Sequence, residues 1–174
     1  MNKGKIDKVM KESLCILVDT REKKNKHILE TFDLLGIKYK KQKVDYGDYS
    51  VMLIKNEDLG ILEDTILSVS VERKASLDEI GNNLTNAKTR FEKEMMRCVG
   101  DNGLMIIMIE DAVYNDIVDK KYKNKITEKQ FLGLLHSIFT KYRVPFIFIN
   151  KDMSALFIYK ILESYTKNYL KNIK

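Results

Sequence analysis

Two apolar runs, each closed by a carboxylate, constrain this chain more than any other feature: Leu14-Cys15-Ile16-Leu17-Val18-Asp19 and Leu104-Met105-Ile106-Ile107-Met108-Ile109-Glu110. Runs of this length without alternation suit strands buried on both faces, which need covering layers. The intervening segments supply them. Asn25 predicts the start of a helix with Ile28, Leu29, Phe32 and Leu35 on one stripe and a stop at Gly36. Residues 37–46 and 48–54 predict an antiparallel pair turning at Tyr46-Gly47, and residues 66–74 another strand. Residues 76–99 read as mainly helical, broken near Gly81-Asn82-Asn83. Thr127 with Gln130 forms a capping box for a helix through Phe131, Leu134, Leu135, Ile138 and Phe139. Residues 145–149 predict a last strand, and Ser154 opens a final amphipathic helix. The order, βαββ–β–αβαβα, predicts an α/β fold: a mixed central sheet flanked by helices on both faces.

A single proline, Pro145, and no Gly/Ser-rich linker leave one domain as the expectation, residues 1–174 with a core over about 14–165. The hydrophobic fraction of 44% and charged fraction of 32% describe an ordinary soluble globular protein, somewhat rich in charge. The longest apolar run, residues 104–109, is far too short to cross a bilayer. The basic start lacks the apolar stretch of a signal peptide, and Cys15 and Cys98 form neither a disulfide framework nor a metal cluster. We therefore expect a cytoplasmic protein with reduced core thiols and no membrane partner. The excess of lysine, asparagine and isoleucine suggests an A·T-rich genome, hence a bacterial or phage-infected cell. The net charge of +6 is compatible with a polyanionic partner without demanding one. Lys23-Lys24, Lys40-Lys41 and Lys120-Lys121 read as solubilising, and the lone His27 and His136 as ordinary helix residues.

Chemistry concentrates in Ser68-Val69-Ser70-Val71-Glu72-Arg73-Lys74. Alternation on a strand puts Val69, Val71 and Arg73 on one face, the core face, and Ser68, Ser70, Glu72 and Lys74 on the other. A carboxylate and an ammonium two residues apart suit phosphodiester hydrolysis. The carboxylate supplies an oxygen to a hard divalent cation, and the lysine orients or deprotonates a metal-activated water. Asp48, after the Gly47 turn at the head of a strand, is the natural second ligand. Acid, long gap, acid-x-Lys is the PD-(D/E)xK arrangement of restriction-type nucleases. By spacing alone the same residues suit a solvated cross-strand ion pair equally well.

The surrounding residues resemble the XPF/Hef family of structure-specific endonucleases. The likeness runs through Val18-Asp19-Thr20-Arg21-Glu22, Gly47-Asp48-Tyr49 and Glu72-Arg73-Lys74-Ala75-Ser76-Leu77-Asp78, then Arg90 on a helix and the strand ending at Glu110, over about residues 14–165. It implies a restriction-endonuclease-like nuclease domain that cuts DNA with Mg²⁺ or Mn²⁺. The expected substrate is branched, a flap or fork, with a 5′-phosphate and a 3′-hydroxyl left behind, and a homodimer through this domain is expected. Junction resolution, cutting of simple duplex as in phage-type nucleases, and non-catalytic DNA binding on the same fold stand as alternatives. Where the family has G-R-x-x-x-Q, Thr89 precedes Arg90 and Glu94 replaces the glutamine, which weakens a role for that helix. The family's helix-hairpin-helix domain is not expected after the final helix.

The expected catalytic residues are Asp19, Asp48, Glu72, Lys74 and Asp78, with Asp48 and Glu72 holding the metal, the carbonyl of residue 73 completing its shell, and Lys74 activating water. Asp19 either joins the metal site or orders its water shell, with helix capping as the competing reading, and Asp78 either serves the signature or favours a helix dipole. Arg21, Arg73, Lys88 and Arg90 are the expected DNA contacts. For Arg73 an ion pair with Glu22 or Asp19 is the competing reading, and for Lys88 a solvated helix face.

Overall fold

The computed structural model describes residues 1–173. Its order is α1 (Lys3–Glu12), β1 (Leu14–Val18), α2 (Lys26–Leu34), β2 (Tyr39–Lys41), β3 (Tyr49–Leu53), β4 (Thr65–Lys74), α3 (Leu77–Thr85), α4 (Lys88–Gly100), β5 (Leu104–Glu110), α5 (Tyr114–Val118), α6 (Glu128–Tyr142), β6 (Phe146–Ile149) and α7 (Ser154–Asn172). The chain forms two compact units: residues 1–44, 48–70 and the chain from Ala155 in one, residues 45–47 and 71–154 in the other. Strands follow the order β2-β1-β3-β4-β5-β6, with β4 contributing to both units. Parallel and antiparallel pairs coexist, so the fold is of the expected α/β class with a mixed sheet. Among the described residues no helix is long and apolar enough to cross a membrane.

In the first unit, all five residues of β1 are buried. A strand so enclosed must satisfy its backbone groups on both edges. β1 does so by pairing in parallel with β2 (Ile16 opposite Tyr39) and antiparallel with β3 (Val18 opposite Tyr49). The expected β2–β3 hairpin is therefore wrong, because β1 lies between them. The chain after β2 stays with the end of β1: the Gln42 amide donates to the Val18 carbonyl and the Val44 amide to the Asp19 carboxylate, each at 3.0 Å. α2 makes the crossover that a parallel β1–β2 pair requires. It buries Ile28 and Phe32 and ends before Gly36, whose φ of +63° favours glycine. Leu35, expected on its apolar stripe, is exposed instead. α1, absent from the expected order, is capped by the Asn2 side chain on the Lys5 amide and buries Ile6 and Val9.

In the second unit, β5 pairs in parallel with β6, Ile107 opposite Phe146. Met105, Ile107 and Ile109 form one face of β5 and join the core made with α3, α4 and α6. The Thr127–Gln130 capping box opens α6 as expected. The helical stretch does not break at Gly81, which lies inside α3; the break falls at Asn86-Ala87. Gly81 serves close approach instead, since an added Cβ would meet the Asn124 side chain at 3.1 Å. The short α5, also absent from the expected order, begins with the Val113 amide on the Asp116 carboxylate at 2.9 Å.

Candidate active site

In the first unit, the pairing of Val18 with Tyr49 brings Asp19, just past the end of β1, beside Asp48, just before β3. The Asp19 amide donates to the Asp48 carbonyl at 2.8 Å. The Asp19 carboxylate is buried and accepts four N–H groups. Oδ1 takes the Arg21 amide (2.7 Å) and Nε (2.8 Å), while Oδ2 takes Arg21 Nη2 (2.9 Å) and the Val44 amide (3.0 Å). Burial would raise its pKa, but the Arg21 and Val44 hydrogen bonds outweigh burial and hold it below the ordinary aspartate value. With this acceptor capacity used, Asp19 braces the loops after β1 and β2 and orients Arg21. Arg21 keeps its side chain 58% exposed, a cation held in place yet open to solvent. Asp48 is half-buried and follows Gly47, whose φ of +72° is left-handed.

In the second unit, β4 ends in three charged residues that are all buried, Glu72 at 6%, Arg73 at 4% and Lys74 at 5% exposure. The Lys74 ammonium donates to the Glu72 carboxylate and sits 5.0 Å from the centroid of the Phe91 ring on α4. This burial excludes the solvated surface pair that spacing alone allowed. Arg73, on the other face of the strand, forms a bidentate pair with Glu110 of β5 (2.8 and 2.6 Å). Arg73, expected as a DNA contact, is 4% exposed and held by the Glu110 carboxylate. It takes the competing structural role, with Glu110 as partner in place of Glu22 or Asp19.

Asp78 lies in the first turn of α3, and one of its oxygens accepts the amides of Lys123 (2.7 Å) and Asn124 (2.8 Å), tying the loop before α6 to the helix. Ser76 caps α3 on the Glu79 amide at 3.2 Å. Lys88 and Arg90 are exposed in the first turn of α4. Sequence reasoning missed Phe91 and took Glu94 as a sign against this helix. Glu94 Oε1 accepts the Gly47 amide at 3.1 Å, and its oxygen does so as readily as a glutamine's would. The signal was available: Phe91, Glu94 and Cys98 recur at helical spacing on one stripe of α4.

The donors fit a hard divalent cation in kind. Asp48 and Glu72 offer carboxylate oxygens, and Mg²⁺ is commonly held by one or two carboxylates together with waters. Among the described residues, no three His, Cys, Asp or Glu side chains gather into a ready-made metal cage.

The profile of the ERCC4 domain matches residues 18–161, a span that contains Asp19, Asp48, Glu72 and Lys74. The chain belongs to the ERCC4 domain family. No curated protein sequence matches it. Among solved structures, this ERCC4 domain is similar to XPF from Aeropyrum pernix in complex with DNA, with a TM-score of 0.60 at 19% identity over 88% of this chain and 66% of that one. A second structure of XPF from Aeropyrum pernix gives a TM-score of 0.56 at 18% identity over 92% of this chain and 62% of the other. The ERCC4 domain therefore spans just under two thirds of those chains. At such identities the likeness is one of fold.

Proposed function

We propose that this ERCC4 domain is an endonuclease that hydrolyses DNA phosphodiester bonds with Mg²⁺ or Mn²⁺. The buried Glu72–Lys74 pair carries the reading. Removing two such charges from water costs several kcal/mol, and apolar residues of similar volume would serve a strand as well or better. Burial of the pair therefore points to a role other than stabilising the strand.

Asp48 and Glu72 are assigned as the metal's carboxylate ligands, with the carbonyl of Arg73 and waters completing the shell. When bound, the cation would stabilise charge on the phosphate oxygens and acidify a water. Lys74, held over Phe91, orients the attacking water. Attack forms the new P–O bond and breaks the bond to the 3′ oxygen, leaving a 5′-phosphate and a 3′-hydroxyl. Arg21, pre-oriented by Asp19, contacts the DNA backbone together with Lys88 and Arg90. Asp19 acts through Arg21, and Asp78 braces the loop before α6. Branched DNA as the substrate and a homodimer as the working assembly belong to the same proposal and rest on the motif resemblance.

Labelled flap, fork, four-way junction and linear duplex, each incubated in Mg²⁺, Mn²⁺ and EDTA, test it. Metal-dependent cutting fastest on flap or fork is expected. Equal cutting of linear duplex would remove the structural specificity, and tight binding without cutting in either metal would leave a DNA-binding module.

A further inference from the structure

Residues of α4 converge on the turn at residues 45–47. Glu94 Oε1 accepts the Gly47 amide at 3.1 Å, and Arg97 Nη2 donates to the Asp45 carbonyl at 3.2 Å. Between them Tyr46 is buried in the same core as Met95 and Cys98. Gly103 leaves space for this arrangement: an added Cβ there would meet the Tyr46 hydroxyl at 2.6 Å and the Cys98 sulfur at 3.0 Å. The turn is thus held at its first carbonyl, its central side chain and its last amide, all from one helix. Gly47 is left-handed, and the next residue in the chain is Asp48. A glycine at that position has wide conformational freedom, so its φ and ψ must be fixed from outside. Fixing the Gly47 peptide sets the direction in which the chain enters Asp48.

We propose that Glu94 is a positioning residue for the metal ligand Asp48: its carboxylate, by holding the Gly47 amide, fixes the peptide that delivers Asp48. The inference rests on the nuclease reading above. It extends that reading to a residue on a separate helix. The hydrogen bond to the Gly47 amide asks of position 94 an oxygen acceptor of the right length, which a glutamine also supplies. Outer partners that orient ligands commonly change metal affinity or activity tenfold or more when removed.

The test uses the full chain as wild type, Glu94→Ala and Glu94→Gln. Three quantities are read: the Kd for Mn²⁺ by calorimetry without DNA, kcat and KM on the best DNA substrate, and the melting temperature without metal. Glu94→Ala should weaken Mn²⁺ binding and lower kcat by roughly tenfold or more, with KM little changed. Glu94→Gln should recover most of both. A purely structural role would lower the melting temperature of Glu94→Ala while leaving Mn²⁺ affinity at low temperature intact, and that result would overturn the proposal. So would a Glu94→Gln variant as impaired as the alanine, since charge rather than the acceptor would then matter. If Glu94→Ala does not fold, the glutamine variant alone decides by the same criterion. Wild type that neither binds Mn²⁺ nor cuts DNA would instead remove the nuclease reading, and this inference with it.

Discussion

The Asp19 carboxylate accepts from Arg21 and from the Val44 amide while shielded from solvent, so the fold requires its ionised form. Its folded pKa lies below the ordinary value, so the stability it contributes is complete above about pH 4 and is lost as pH falls through the lower folded value. In urea titrations from pH 7 to pH 2, Asp19→Asn should be less stable than wild type near neutrality. The gap should close toward the acid end; a gap independent of pH would contradict the account. Arg73 and Glu110 make the opposite kind of test, since neither reaches solvent. Glu110→Ala strands a buried guanidinium and should cost about 3–5 kcal/mol by denaturation, whereas replacing both by apolar residues of similar volume should cost far less. Equal losses in the two variants would show that the pair itself, and not the stranded charge, governs stability. The sequence located these charges on their strand but not their partners. Arg73 meets a residue 37 positions away and Gly47 one 47 positions away, separations over which local pattern carries no signal.

At the level of elements, what could be read in advance was whatever local periodicity determines. β1 and β5 are unbroken apolar runs, and Thr127 with Gln130 announces α6 by a local hydrogen-bond exchange. Pairing was not legible, because β2 and β3 each satisfy an edge of β1 and no local pattern distinguishes that from a hairpin. Gly81 misled for a related reason: its glycine answers to Asn124, which arrives from the loop before α6. Asp78, which the motif order placed in the chemistry, also holds that loop. Asp78→Ala leaves the amides of Lys123 and Asn124 without their acceptor and should lower stability by about 1–3 kcal/mol. Single-turnover cleavage well below the melting temperature should stay within a few-fold of wild type. A loss of a thousandfold with unchanged stability would return Asp78 to the catalytic machinery.

For the whole molecule, the net charge of +6 indicated a polyanionic partner only weakly, because lysines are spread throughout the chain. The proposed function rests on three exposed cations: Arg21, paired with Asp19, and Lys88 and Arg90 in the first turn of α4. Contacts to phosphate act through counterion release, so Arg90→Ala should weaken binding to all DNA sequences alike and reduce the slope of log K against log salt by about 1. An unchanged slope would take Arg90 off the DNA. The central claim is that the buried Glu72–Lys74 pair is kept for hydrolysis, and one measurement addresses it directly. Single-turnover cleavage of a labelled flap in Mn²⁺ would be compared between wild type and Glu72→Gln, an isostere that keeps the volume of the side chain. The account predicts that wild type cuts, that EDTA stops it, and that a folded Glu72→Gln is slower by roughly a thousandfold or more, as expected for loss of a metal ligand. A folded Glu72→Gln that cuts at the wild-type rate would contradict it.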